Sequence, residues 1–81
     1  MTPAQCRAAR GLLEITQSQL AGAAGLGLST VVDFEKERRR VSNVAVEAIC
    51  AALEQAGIEF IEENGGGEGL RLRKPRQPKR K

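Results

Sequence analysis

Several residue types that active sites depend on are missing from this sequence. It has no histidine, no tryptophan and no tyrosine, and its aromatic side chains are two phenylalanines. Without histidine the chain lacks the usual general base near neutral pH and the commonest metal ligand. The scarcity of aromatic rings removes the platforms on which single-stranded nucleic acids stack. We therefore expect no enzyme, no cofactor or metal site, and no RNA recognition by stacking.

Cysteines and long apolar runs are also scarce. Cys6 and Cys50 are the two cysteines, and they stand far apart with no CxxC pair, which excludes a zinc site or a disulfide framework. Each is expected to be a small buried apolar residue. No run approaches the about 20 apolar residues of a membrane span, and the N-terminus does not resemble a signal peptide. We expect a cytoplasmic, nucleoid-associated protein without a membrane partner.

The charges are unevenly distributed along the 81 residues. The net charge is +3, but residues 41–70 contain six acids and no base, whereas residues 71–81 contain seven bases and no acid. This pattern indicates a localised anion-binding surface rather than a basic coat. A chain this short forms one domain with a small core, so oligomerisation is expected.

Capping residues and apolar spacing predict four helices. Thr2 and Pro3 open a first helix that ends near Leu13, and a capping box from Thr16 to Gln19 opens a second. Gly25 supplies the left-handed residue that ends it. A third helix is predicted from Leu28 or Ser29 into the charged stretch 36–40. A fourth is predicted from Ser42 or Asn43 to Gly57, and its inner face consists of Val46, Ile49, Cys50 and Leu53.

After Gly57 the apolar period changes from that of a helix to that of a strand. Residues 58–73 alternate apolar and charged positions around a glycine-rich loop, which predicts a β-hairpin. An isolated hairpin is marginal in water, so it must pack on the fourth helix or on a second copy. We expect it to form the dimer interface, with the fourth helix as the alternative, through four inward-facing residues: Ile58, Phe60, Leu70 and Leu72. Residues 74–81 form a basic tail that is expected to be disordered, either a non-specific polycation or an arm that follows a DNA groove.

The second helix, its turn and the third helix make a helix-turn-helix unit. Over about residues 6–53 the sequence resembles the Cro and phage-repressor type of helix-turn-helix protein, the XRE family. The residues that carry the resemblance are Arg10, segment 16–21, Gly25 at the turn, segment 29–31 and Glu35. The resemblance implies a mainly α, lambda-repressor-like bundle over residues 1–57, in which the hairpin replaces the usual fifth helix.

The resemblance also implies roles for individual residues. Gln17 would contact a phosphate, Leu28, Ser29 and Asp33 would face bases, and Arg10 would form a partly buried ion pair with Glu35. The helical spacing places further residues on the side opposite Val31 and Phe34. These are Ser29, Thr30, Asp33 and Lys36. The basic residues that follow, Arg38, Arg39 and Arg40, are expected to contact the DNA backbone. An acid facing DNA repels phosphates, so Asp33 either reads a cytosine amino group or pairs with Lys36 or an arginine.

The sequence thus predicts a small transcriptional regulator, a repressor that binds a pseudo-palindromic operator in double-stranded DNA as a homodimer. One alternative is the antitoxin of a toxin-antitoxin pair, whose acidic block 41–70 would bind a basic toxin. A second is a protein-interaction adaptor that has lost DNA binding.

Overall fold

The fold is a bundle of four helices followed by a two-stranded antiparallel hairpin, as predicted. A computed structural model describes residues 1–61 and 69–73. The predicted basic tail 74–81 and most of the hairpin loop lie outside the described residues. The elements are α1 (Pro3–Leu13), α2 (Gln17–Ala24), α3 (Leu28–Lys36), α4 (Asn43–Gln55), β1 (Ile58–Ile61) and β2 (Gly69–Leu72). None of the helices in these ranges is both long and apolar enough to cross a bilayer.

The helices α1, α2 and α4 begin where their capping residues predict. The Thr16 hydroxyl accepts from the Gln19 amide at 3.0 Å, and the Gln19 side chain accepts from the Thr16 amide at 2.8 Å, which completes the expected capping box. Thr2 and Gln5 form a second box that was not predicted. The Ser42 hydroxyl caps α4. These reciprocal bonds satisfy amide groups that would otherwise lack a partner in the first helical turn.

Three helices end in a residue with left-handed backbone conformation. Gly25 ends α2 with φ of 72°, as predicted. Glu14 and Glu37 end α1 and α3 with φ of 58° and 56°. Side chains rarely adopt this conformation because the Cβ atom approaches the following carbonyl, at a cost of about 1–2 kcal/mol. Two of the four helices therefore end with backbone strain that a glycine would relieve.

The core collects small and branched side chains from the helices and the first strand. Its fully buried members are Cys6, Ala9, Leu20, Ala21, Val31, Ile49, Leu53 and Ile58. On α4 the buried positions are Ala45, Ile49 and Leu53, whereas Val46 and Cys50 are half-buried. The predicted inner face of this helix was therefore rotated at its N-terminal end, and Cys50 is less buried than expected.

The hairpin packs on the helices of its own chain. Ile58 pairs with Leu72 and Phe60 with Leu70; β1 contacts α4, and β2 contacts α1. The Gln5 side-chain amide donates to the Gly69 carbonyl at 3.1 Å. These contacts join the two ends of the described chain.

The four residues of the predicted apolar strip share one face of the hairpin but are not equally buried. Ile58 is 1% exposed and belongs to the core, and Phe60 and Leu70 pack against it while partly exposed. Leu72 is 48% exposed. Leu72 lies on the same face as its cross-strand partner Ile58 but is not covered there, whereas Ile58 is covered within its own chain.

Candidate nucleic-acid interface

Helix α3 has one face in the core and the other at the surface. Val31 and Glu35 are buried, and Phe34 packs against the core. Leu28, in the first turn, is 48% exposed. Ser29, Asp33 and Lys36 are separated by four and three residues, so they form one stripe along the helix. We call these three residues the α3 stripe. Ser29 and Lys36 are exposed, and Asp33 and the adjacent Thr30 are half-buried.

The N-terminus of α3 lies beside this stripe. Gly27 precedes the helix, and no side chain in the described ranges caps its first amide groups. Unpaired amides and the helix dipole together favour an anion at such a position. Helix α2 packs directly against α3, which brings the half-buried Gln17 at its start near the same surface.

A single buried carboxylate fixes α3 to the helices beneath it. Glu35 is 1% exposed. The Arg10 guanidinium donates to both of its oxygens, from Nε to Oε2 and from Nη2 to Oε1, each at 2.7 Å. The predicted ion pair therefore exists in the structure, and its bidentate geometry is the strongest that an arginine can offer a carboxylate.

Two further side chains complete the shell around this carboxylate. The Cys6 thiol donates to Glu35 Oε2 at 3.1 Å, and the Gln17 amide donates to Oε1 at 3.0 Å. In addition, Arg7 donates to the main-chain carbonyl of Glu35. Donors from α1 and α2 thus converge on one residue of α3. We call Glu35 with Cys6, Arg10 and Gln17 the Glu35 cluster.

The ionisation of the Glu35 cluster follows from this arrangement. Burial alone would raise the pKa of Glu35, but the hydrogen bonds from Arg10, Cys6 and Gln17 outweigh it, and the pKa lies below its ordinary value. The hydrogen bond to Glu35 raises the pKa of Arg10. Burial, together with the bond to Glu35, raises the pKa of the Cys6 thiol. The pair is therefore ionised and the thiol protonated at neutral pH.

The sequence predicted this cluster only in part. Arg10 and Glu35 were expected to pair, whereas Cys6 was expected to be a passive apolar residue. Gln17 was expected to reach a phosphate, but its side-chain amide is engaged by Glu35 in this structure. The contacts span 18 to 29 positions of sequence, so no local pattern could have indicated them.

Arginines follow α3 directly. Arg38 and Arg39 have side chains 61% and 53% exposed, and Lys36 and Arg40 are also exposed. Asp33 Oδ2 accepts from Arg39 Nε at 2.7 Å, while Oδ1 lies 4.0 Å from Arg38 Nη1. Of the two roles expected for Asp33, the structure shows the ion pair with an arginine.

The described acidic residues of the block 41–70 lie on other elements. Glu47 and Glu54 are exposed on α4, and Glu59 of β1 forms an ion pair with Arg71 at 3.0 Å. Within residues 1–61 and 69–73, no three acidic or thiol side chains come together in a way that could hold a metal ion.

Two helices are joined by a short turn, and the outer face of the second is exposed and flanked by basic residues. This arrangement defines a helix-turn-helix DNA-binding protein. The helix-turn-helix family model matches residues 7–59, which is most of the chain. The chain belongs to the Cro and phage-repressor type (XRE) helix-turn-helix family. It is thereby a DNA-binding transcription regulator at family level, in a family that is not normally enzymatic. A search of curated proteins gives no match to it.

Proposed function

We propose that this protein is a repressor that binds a pseudo-palindromic operator in double-stranded DNA as a homodimer and acts at the nucleoid. The observation that carries the proposal is the anchoring of α3. Its inner face is fixed by a carboxylate that accepts four side-chain hydrogen bonds, while its outer face is exposed. A rigid helix with a free polar face is suited to reading base edges in the major groove.

Base recognition is assigned to the first turns of α3. The hydroxyls of Ser29 and Thr30 can donate to or accept from base edges, and Leu28 offers an apolar contact to a thymine methyl group. All three side chains have solvent-accessible surface. Asp33 belongs to the same face.

Affinity is assigned to contacts with phosphates on both sides of α3. On one side stand Lys36 and the arginines at positions 38–40, which are exposed. On the other side is the start of α2. Because the Gln17 side chain already donates to Glu35, we propose that its main-chain amide, rather than its side chain, approaches the phosphate.

The proposal is tested by selecting bound sequences from duplexes with a randomised central segment. We expect enrichment of an inverted repeat whose half-sites lie about 34 Å apart, one turn of the double helix. Enrichment of a single half-site would exclude the dimeric operator. Equal recovery of all sequences would exclude sequence-specific binding, and the absence of any salt-dependent binding would favour the adaptor alternative.

Dimerisation is assigned to the part of the hairpin's apolar strip that the helices of its own chain leave exposed. Ile58 is covered within its own chain, so the surface available to a partner consists of the exposed Leu72 with the exposed parts of Phe60 and Leu70. Pairing of two hairpins at their edges would bury this surface and close an exposed sheet edge. Two-fold symmetry would then place both α3 helices on one side of the DNA.

Leu72→Asp tests this assignment, because Leu72 is exposed and its replacement spares the core. We expect a folded monomer in analytical ultracentrifugation. Its affinity for the full site should be lower than that of the unaltered chain, because its two half-sites are no longer bound by one linked dimer. Leu12→Asp on α1 is the matched control, since Leu12 is 47% exposed against 48% for Leu72. A monomeric Leu12 variant with a dimeric Leu72 variant would place the interface on α1 instead.

The antitoxin reading is favoured by one observation. Glu47 and Glu54 are exposed and separated by seven residues on α4, so they lie on one side of that helix. A basic toxin could bind there while α3 holds DNA. Purification together with the product of a neighbouring gene, abolished by Glu47→Lys, would support this function, and recovery of the chain alone would count against it.

A further inference from the structure

An acidic residue occupies the middle of the surface that is proposed to face DNA. Asp33 stands between Ser29 and Lys36 on the α3 stripe, and its side chain is 20% exposed. A carboxylate at this position repels phosphates in its free form. Its role must therefore be sought in the groups that surround it.

Asp33 contacts the segment that follows α3 with both its side chain and its main chain. Its carbonyl accepts from the Arg38 amide at 3.0 Å, which closes the turn that Glu37 makes with φ of 56°. The chain therefore reverses beside the last turn of α3. This reversal returns the side chain of Arg39 to the stripe, although Arg39 is outside the helix.

The side-chain contact leaves the outer end of the Arg39 guanidinium available. Nε donates to Asp33 Oδ2 at 2.7 Å, and Nη1 makes a long contact of 3.4 Å with the Arg40 carbonyl. The side chain is 53% exposed. The guanidinium thus keeps Nη donors directed away from the carboxylate that holds it.

We infer that Asp33 is a positioning residue that holds Arg39 on the α3 stripe for contact with a DNA phosphate, rather than a reader of cytosine. This inference rests on the proposed DNA-binding function. An arginine on a free segment loses side-chain freedom when it binds a phosphate, whereas one already held in place loses less. Two arginine neighbours also compensate the charge of Asp33.

The test is a double-mutant cycle on DNA affinity with Asp33→Asn and Arg39→Gln. The probe is one duplex recovered from the randomised pool, measured at several salt concentrations. In the Arg39→Gln chain, Asp33→Asn removes a repulsive charge whose remaining partner is Arg38 at 4.0 Å, and it is expected to raise affinity. In the chain with Arg39 intact it is expected to lower affinity about two- to fivefold, the range of an exposed ion pair.

Two further readouts separate positioning from other roles. In the chain with Arg39 intact, Asp33→Asn is expected to reduce the slope of log K against log salt toward that of the Arg39→Gln chain, because one phosphate contact is lost. The base preference of the randomised pool is expected to stay unchanged. Glu37→Gln is the matched control. Glu37 is another acid near the same surface, and it takes part in none of the ion pairs among the described residues. Its replacement is expected to raise affinity both with Arg39 intact and in the Arg39→Gln chain.

Three outcomes would overturn the inference. Equal effects of Asp33→Asn in both backgrounds would show that the acid does not act through Arg39. A changed preference at one base pair would show that Asp33 reads a base. If the unaltered chain bound no duplex at all, the proposed function would fail together with the inference, a result distinct from a cycle without coupling.

Discussion

Replacing Arg10 with methionine tests how strongly the Glu35 cluster holds the fold. Methionine keeps most of the apolar stem of arginine but removes two of the four side-chain hydrogen bonds on Glu35, those at 2.7 Å. The carboxylate is 1% exposed, so it cannot recover water. Breaking a buried ion pair in this way costs about 3–5 kcal/mol. A domain of this size has roughly 4–12 kcal/mol of stability in total, so the variant loses a large part of it.

Removing the charge of the other partner is expected to cost less stability. Glu35→Gln leaves Arg10, which is 21% exposed and can turn toward solvent. The glutamine carbonyl can still accept from Arg10, so we expect a loss of about 1–3 kcal/mol. The double variant should be more stable than Arg10→Met alone, because no uncompensated buried charge remains. Urea unfolding followed by far-UV circular dichroism measures all three, since the chain has no tryptophan or tyrosine for fluorescence.

The pH dependence of the unfolding free energy gives a second test of the Glu35 cluster. In the unaltered chain the folded pKa of Glu35 is lowered, so its contribution is present above the unfolded pKa of about 4.3. It disappears as the pH falls through the lowered folded pKa. Without Arg10, burial dominates and raises the pKa, so the penalty of Arg10→Met should shrink as the pH is lowered from 7 to about 5. A penalty below about 1 kcal/mol, or one independent of pH, would refute this account of the cluster.

Three other predictions concern a helix end, the thiols and the tail. Glu14→Gly should stabilise the fold by about 0.5–1 kcal/mol, because relief of the left-handed strain exceeds the added entropy of the unfolded chain; Gly25→Ala, at the equivalent place in α2, should do the opposite, and equal signs in thermal melts would contradict the argument. Iodoacetamide should label the half-buried Cys50 before the fully buried Cys6, whose labelling should require unfolding; mass spectrometry of partly labelled protein checks the order. Deleting residues 74–81 should leave the melting temperature unchanged while lowering non-specific DNA affinity, and a broadened melt would show that the tail supports the fold.

Features set by neighbouring residues could be predicted from the sequence. The capping box at Thr16 needs only Gln19, three positions on, and the helix end at Gly25 needs only the conformational freedom of glycine. Alternation likewise indicates which hairpin residues share a face, with Phe60 and Leu70 on one side and Glu59 and Arg71 on the other.

Features set by the rotation and length of whole helices and strands could not be predicted from the sequence. Helix α4 has apolar residues on most of its surface, so spacing alone did not distinguish Ala45 from Val46 as the buried position. Leu72 shares its face with Ile58, but alternation does not show that Ile58 is covered while Leu72 is left exposed. The donors on Glu35 depend on how three helices are rotated about their axes, which no local pattern encodes.

The position of the hairpin has a consequence for how the molecule opens. The helices α2, α3 and α4 contact one another, whereas the hairpin is joined to α1 by a bond from Gln5 to Gly69 that spans 64 positions. A two-stranded hairpin is marginally stable by itself, and local opening takes place in the segments of lowest stability. We therefore expect amide hydrogen exchange to show the strands opening about Gly57, with φ of 115°, while the helices stay protected. An opened hairpin uncovers the site of Ile58, and the same hairpin from a second chain fits that site, so this opening provides a route to a domain-swapped dimer.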